Sequence, residues 1–132
     1  MRNRLDLQIE LENISDENFI SSYGENYIVI KKQKYIKNII ISELNIYENI
    51  KDEQFYDYNY IKERINENKV GKNTFLLFGT GKKIEFLPNK ILEFLVTNKI
   101  SYEVMTSISA IKTYNVLLSQ GRSTVAFLKL NI

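Results

Sequence analysis

Four short clusters carry the residues whose types suit them to chemistry. They are Gly79-Thr80-Gly81, Thr106-Ser107, Thr113-Tyr114-Asn115 and Gly121-Arg122, with Glu103 just ahead of the second. Glycines at the end of a buried strand let a backbone approach a phosphate. Hydroxyls opening a helix either cap its free N–H groups or help hold an anion there. An arginine past a helix end bonds the last carbonyls, pairs with a carboxylate such as Glu103, or clamps an anion. Gly79, Thr80, Gly81, Thr106, Ser107 and Arg122 are therefore the candidate ligand-binding set. They would form a notch for a small anion or nucleotide-like molecule, with Glu103 or Lys82 as the only proton carriers. The alternatives are a tight structural turn at the glycines and simple capping at the hydroxyls. The pattern is neither a dinucleotide fingerprint nor a phosphate loop, because "KKIEFLP" and not a helix follows Gly81.

Thr113, Tyr114 and Asn115 sit mid-helix, where a buried amide must find partners. Together with Glu103 they read as polar fasteners of the fold. Asn115 is expected to bond a neighbouring loop backbone, and the Tyr114 hydroxyl to reach the surface or a loop. Lys112 is two residues from Tyr114, so it points elsewhere on the helix and cannot activate it. The chain has no histidine and no cysteine. That excludes a Ser-His triad, a thiolate nucleophile, a disulfide framework and an ordinary zinc site. No catalytic residue, metal or cofactor is expected.

The elements that must position these clusters follow from periodicity. The 132 residues suit one domain over 1–132, with 44% apolar and 26% charged residues. Net charge is only +2, which does not favour nucleic acid. The start, "MRNRLDLQIELENIS", lacks the apolar core of a secretory signal, and no run reaches the roughly 20 apolar residues of a membrane span. The expected location is cytoplasmic, at most peripheral at the inner membrane. Phe19–Gly24 reads as a strand. Tyr27–Ile30 and Tyr35–Ser42 read as an antiparallel hairpin around Lys31–Lys34, a solvated turn or weak phosphate contact. Tyr58, Ile61 and Ile65 fall on one helical face. The apolar run Thr74–Gly81 suits a strand covered on both faces. Pro88 starts a helix with an apolar stripe of Ile91, Leu92, Leu95 and Val96. Ser101–Met105 completes a parallel, right-handed βαβ unit. Thr106 or Ser107 caps a helix over Ile108–Ser119, Gly121 ends it, and Thr124–Leu130 is the last strand. Tyr47, Phe55, Tyr56, Tyr58 and Tyr60 either cover the core or anchor a protein interface.

"LLFGTG", a later Pro88, and "EVMTSISAIKTYNVLLSQGRSTVAFL" resemble a small single-domain family. It includes the mitochondrial NADH:ubiquinone oxidoreductase (respiratory complex one) assembly factor three and bacterial and archaeal stand-alone domains. The matching residues are Gly79-Thr80-Gly81, Glu103-Val104-Met105, Ala110, Thr113-Tyr114-Asn115 and Gly121-Arg122, and the likeness is strongest over 74–130. Thr106 stands where the family usually has an acid, Lys112 where it has arginine, and Gln120 where it has glutamate. The resemblance implies an α/β fold: a three-layer Rossmann-like domain with a mixed β-sheet and an N-terminal antiparallel β-hairpin. It also implies a non-catalytic protein-binding factor, similar to an assembly factor for the respiratory NADH dehydrogenase complex. Its partner would be a respiratory-complex subunit or another assembly factor. Homo-oligomer formation, through a strand edge or the aromatic belt, is compatible with this reading and with the ligand-binding alternative.

Overall fold

The computed structural model describes residues 17–132; the alternating start of the chain lies outside them. The strands are β1 (Ile20–Gly24), β2 (Tyr27–Ile30), β3 (Gln33–Tyr35), β4 (Ile39–Ser42), β5 (Ile46–Tyr47), β6 (Phe75–Gly79), β7 (Ser101–Met105) and β8 (Thr124–Leu128). The helices are α1 (Tyr58–Glu67), α2 (Asn89–Thr97) and α3 (Ser107–Ser119), with a 3-10 turn at Asp52–Tyr56. A five-stranded mixed sheet runs β5-β4-β8-β6-β7, and β1-β2-β3 form a separate antiparallel sheet. The last strand, β8, enters the middle of the large sheet, parallel to β6 and antiparallel to β4. β7 pairs parallel to β6, from Phe75 with Ser101 to Gly79 with Met105.

Period-2 alternation sorts side chains of the central strands between two cores. Ile39, Ile41, Leu77, Ala126 and Leu128 face α3 and the small sheet, against Ala110, Ile111, Tyr114, Leu118, Ile28 and Ile30. Ile40, Leu76, Phe78, Val125 and Phe127 face Ile61 and Ile65 of α1 and Ile91 and Leu95 of α2. Phe78 and Phe127 stack there with centroids 4.6 Å apart. Each fully buried ring contributes about 2–3 kcal/mol of transfer free energy. The result is the three-layer α/β domain expected from the sequence.

The hairpin differs from its expectation. The turn is only Lys31-Lys32, both at positive φ (49° and 68°), and Gln33–Tyr35 is the strand that pairs with β2. Ile39–Ser42 instead crosses to the large sheet beside β8. Asn38 makes the crossing: its side chain bonds Asp52 at 2.6 Å and the Leu130 N–H at 2.9 Å, and its carbonyl accepts from Ile50. A β-branched run predicts strand but does not mark where it changes sheet. One stripe position also falls outside the core: Val96 is 66% exposed. The aromatic belt covers the core: Phe55 is buried, and Tyr47, Tyr56, Tyr58 and Tyr60 pack against it.

Candidate functional site

The carboxy-terminal ends of β6 and β7 lie side by side, as parallel pairing requires, so Gly79–Gly81 and Thr106-Ser107 do meet. At Gly79 the absence of a side chain lets α3 pack tightly on the sheet. A Cβ there would stand 2.9 Å from the Ser107 Cα and 3.0 Å from both Ala110 and Leu128 side chains. Gly81 has φ of +97°, and a Cβ would collide with the Asn131 side chain. Only glycine takes that conformation without strain.

The polar groups here bond one another. Ser107, fully buried, donates its hydroxyl to the Lys129 carbonyl at 2.5 Å and accepts from the Gly81 N–H at 2.8 Å. Its own N–H donates to the Gly81 carbonyl at 2.9 Å. The Thr80 hydroxyl donates to the Lys83 carbonyl at 2.7 Å and accepts from the Glu85 N–H at 3.0 Å. Thr106 caps α3, accepting from the Ser109 N–H and bonding the Ser109 hydroxyl at 3.1 Å. Each of these hydroxyls has therefore spent its single proton inside the protein. What they build is a lacing of three strand ends and a helix start.

On α3 the Tyr114 hydroxyl donates to the Asn18 carbonyl at 2.8 Å, so it reaches the segment before β1 and not the surface. Burial, reinforced by the Glu17 and Glu43 carboxylates, pushes that phenol far above the ordinary tyrosine range. Asn115 grips Ile20 twice, accepting from its N–H at 3.0 Å and donating to its carbonyl at 2.8 Å. Thr113 is half-buried, and Glu103 is exposed on the edge strand β7. Neither joins this network.

Arg122 is at the other end of the sheet. Its N–H donates to the Leu117 carbonyl and that of Gly121 (φ +73°) to Leu118, a Schellman closure of α3. The length of β8, about 15 Å, separates it from the notch. An anion clamp by Arg122 on Gly81 and Thr106 is thus corrected by geometry. Glu103 and Arg122 form no ion pair among the described residues. Arg122 instead lines an open cavity of about 410 Å³ with Lys72, Asn73, Thr74, Phe75, Ser101, Gly121 and Ser123.

One cluster escaped the sequence reading. Lys129, only 8% exposed, places Nζ 3.2 Å from the Tyr56 hydroxyl and 3.3 Å from Glu85 Oε1. Tyr56 donates to Glu85 Oε2 at 2.9 Å. Burial works against the ammonium, but the hydrogen bonds and charges of Tyr56 and Glu85 outweigh it and hold Lys129 above its ordinary value. Burial, chiefly, also raises the Tyr56 hydroxyl. The three side chains tie the loop carrying Glu85 to the last strand as a latch. The available signal was the period-2 placement of Lys129 on the face of Val125 and Phe127.

The latch holds a loop. With Glu85 turned toward Lys129, its neighbours Ile84 and Phe86 are 63% and 97% exposed. Lys82 and Lys83 are exposed beside them, whereas Leu87 is buried. Among the described residues no helix is long and apolar enough to cross a membrane.

Comparison with known proteins agrees with this architecture. The chain is 27% identical over 117 residues to NADH dehydrogenase (ubiquinone) 1 alpha subcomplex assembly factor 3 of Xenopus tropicalis. That match covers 83% of this chain and spans 60% of the relative's length. A crystal structure described as an outer membrane protein of Bartonella henselae superposes with a TM-score of 0.74 at 25% identity, covering 86% of this chain and 95% of that one. The solution structure of a Bordetella pertussis protein described as an Mth938-like domain gives 0.68 at 18% identity, covering 86% of each. A family model described as a protein of unknown function (DUF498/DUF598) matches residues 20–129, and the chain belongs to that family, which this relative links to an assembly factor.

Proposed function

We propose that this chain is a non-catalytic protein-binding factor for assembly of the NADH dehydrogenase complex, docking through the loop Lys82–Phe86. The carrying observation is Phe86, 97% exposed on a loop whose backbone is held by Thr80 and whose acid is held by Lys129. A large apolar side chain offered to solvent on a fixed backbone loses little freedom on docking, and its burial contributes about 2–3 kcal/mol. Glu85 is ion-paired to Lys129 although its side chain stays 47% exposed, so the face around Phe86 presents Ile84, Lys82 and Lys83 beside a neutralised acid. It fits an apolar pocket with an acidic rim on a partner protein, a complex subunit or another assembly factor. The similarity to the Xenopus assembly factor supports this class. In this reading the protein works in the cytoplasm, with at most peripheral contact with the inner membrane.

Deleting the gene and assaying NADH oxidation in isolated membranes tests the role. The reading expects lower activity, restored by the wild-type chain and not by Phe86→Ser. Unchanged activity in the deletion strain contradicts it.

A further inference from the structure

We propose that the cavity at the amino-terminal ends of β6, β7 and β8 binds a phosphate-type oxyanion, free or carried by a small phosphorylated molecule. Its volume of about 410 Å³ is that of a small-molecule site. Its lining holds two cations, Lys72 and Arg122, and no acid. Some described cations are engaged, Arg64 with Glu63 and Glu67, Lys129 with Glu85, Lys62 and Lys90 over Tyr58, while exposed lysines such as Lys99 and Lys112 are not; what sets Lys72 and Arg122 apart is that they share one cavity. Among the described residues Lys72 and Arg122 enter no ion pair and lie over no aromatic ring.

The frame around these cations is rigid. The Schellman closure fixes the Arg122 backbone, and the Phe75 N–H donates to the Ser123 carbonyl at 2.9 Å. Thr74 and Ser123 hydroxyls bond each other at 3.2 Å along the rim. Ser101 and Asn73 add a hydroxyl and an amide to the lining. A guanidinium fork and an ammonium over a fixed backbone match the oxygens of a phosphoryl group. The end of α3 also favours a cation at Arg122, so a purely structural role would alter stability and leave anion affinity untouched. The site is a strand length away from the Phe86 loop and stands independently of the docking reading.

Inorganic phosphate is titrated into the protein at constant ionic strength, with chloride as reference, while the amide signals of residues 72–75, 101 and 121–124 are followed. The expected result is a saturable shift confined to these residues, weakened roughly tenfold or more by Arg122→Ala. Lys72→Ala and Arg122→Lys weaken it less and serve if Arg122→Ala does not fold. A phosphate monoester binding more tightly than phosphate assigns the site to a phosphorylated molecule, and equal binding assigns it to the free ion. Shifts that chloride reproduces, or that the folded variants leave unchanged, overturn the proposal.

Discussion

Tyr114 donates to the Asn18 carbonyl at 2.8 Å across 96 residues of sequence and ties α3 to the segment before β1. Asn18 in turn bonds the Ser42 carbonyl through its amide at 2.9 Å and the Glu43 carbonyl through its N–H. The tyrosine therefore joins the helix, the entrance to the small sheet and the end of β4. The fold closes on this bond and on the Asn115 bridge beside it, which gives the polar residues in the middle of the helix a structural task.

Tyr114→Phe keeps the ring and strands a buried carbonyl. The expected cost is about 1–3 kcal/mol in denaturant unfolding at neutral pH. The same variant carries a pH signature. The folded phenol is raised above its ordinary value of 10.0, so its stabilising share is complete below that pH and is lost as pH rises beyond it. Wild-type stability should fall by about 1.4 kcal/mol per pH unit there on account of this one group, and the phenylalanine variant should lack that increment.

Asn115→Ala removes both bonds to Ile20 and should cost about 2–3 kcal/mol, with faster hydrogen exchange in β1. Asn115→Asp keeps an acceptor for the Ile20 N–H but turns a second carboxylate oxygen toward the Ile20 carbonyl. Its deficit relative to wild type should shrink on acidification, because the protonated acid regains a donor. Equal deficits at pH 7 and under acid conditions contradict the two-point bridge.

The two ends of the latch should respond unequally. Glu85→Ala leaves a nearly buried ammonium with only the Tyr56 hydroxyl, whereas Lys129→Met leaves a half-exposed carboxylate that water can serve. The first should destabilise by about 1–2 kcal/mol and the second by less than about 1 kcal/mol. Both should speed exchange of the amides in residues 82–86. A larger loss for Lys129→Met reverses the assignment.

Much of the fold was legible because its signals are local. The apolar run before Gly79 announced a strand covered on both faces, Pro88 and Thr106 marked helix starts, and Gly121 marked a helix end. Adjacency of Gly81 and Ser107 followed from one βαβ unit. What stayed hidden depends on tertiary placement. Arg122 is separated from the notch because β8 runs the length of β6 between them, from Thr124 beside Phe75 to Leu128 beside Gly79. Lys129, inside the last apolar run, carries no local signal of its partners Tyr56 and Glu85, which lie 73 and 44 residues away. Phe86 lies next to Glu85 of that latch, and no periodicity encodes its 97% exposure.

The most direct measurement is affinity purification of the tagged chain from its own cells in gentle detergent, with wild type and Phe86→Ser in parallel and partners identified by mass spectrometry. The substitution lies on a fully exposed side chain, so unfolding stability should stay within about 0.5 kcal/mol of wild type. NADH dehydrogenase subunits or assembly factors should accompany the wild-type chain and be lost with Phe86→Ser. Recovery of no respiratory protein, or equal recovery with both chains, contradicts the proposed docking.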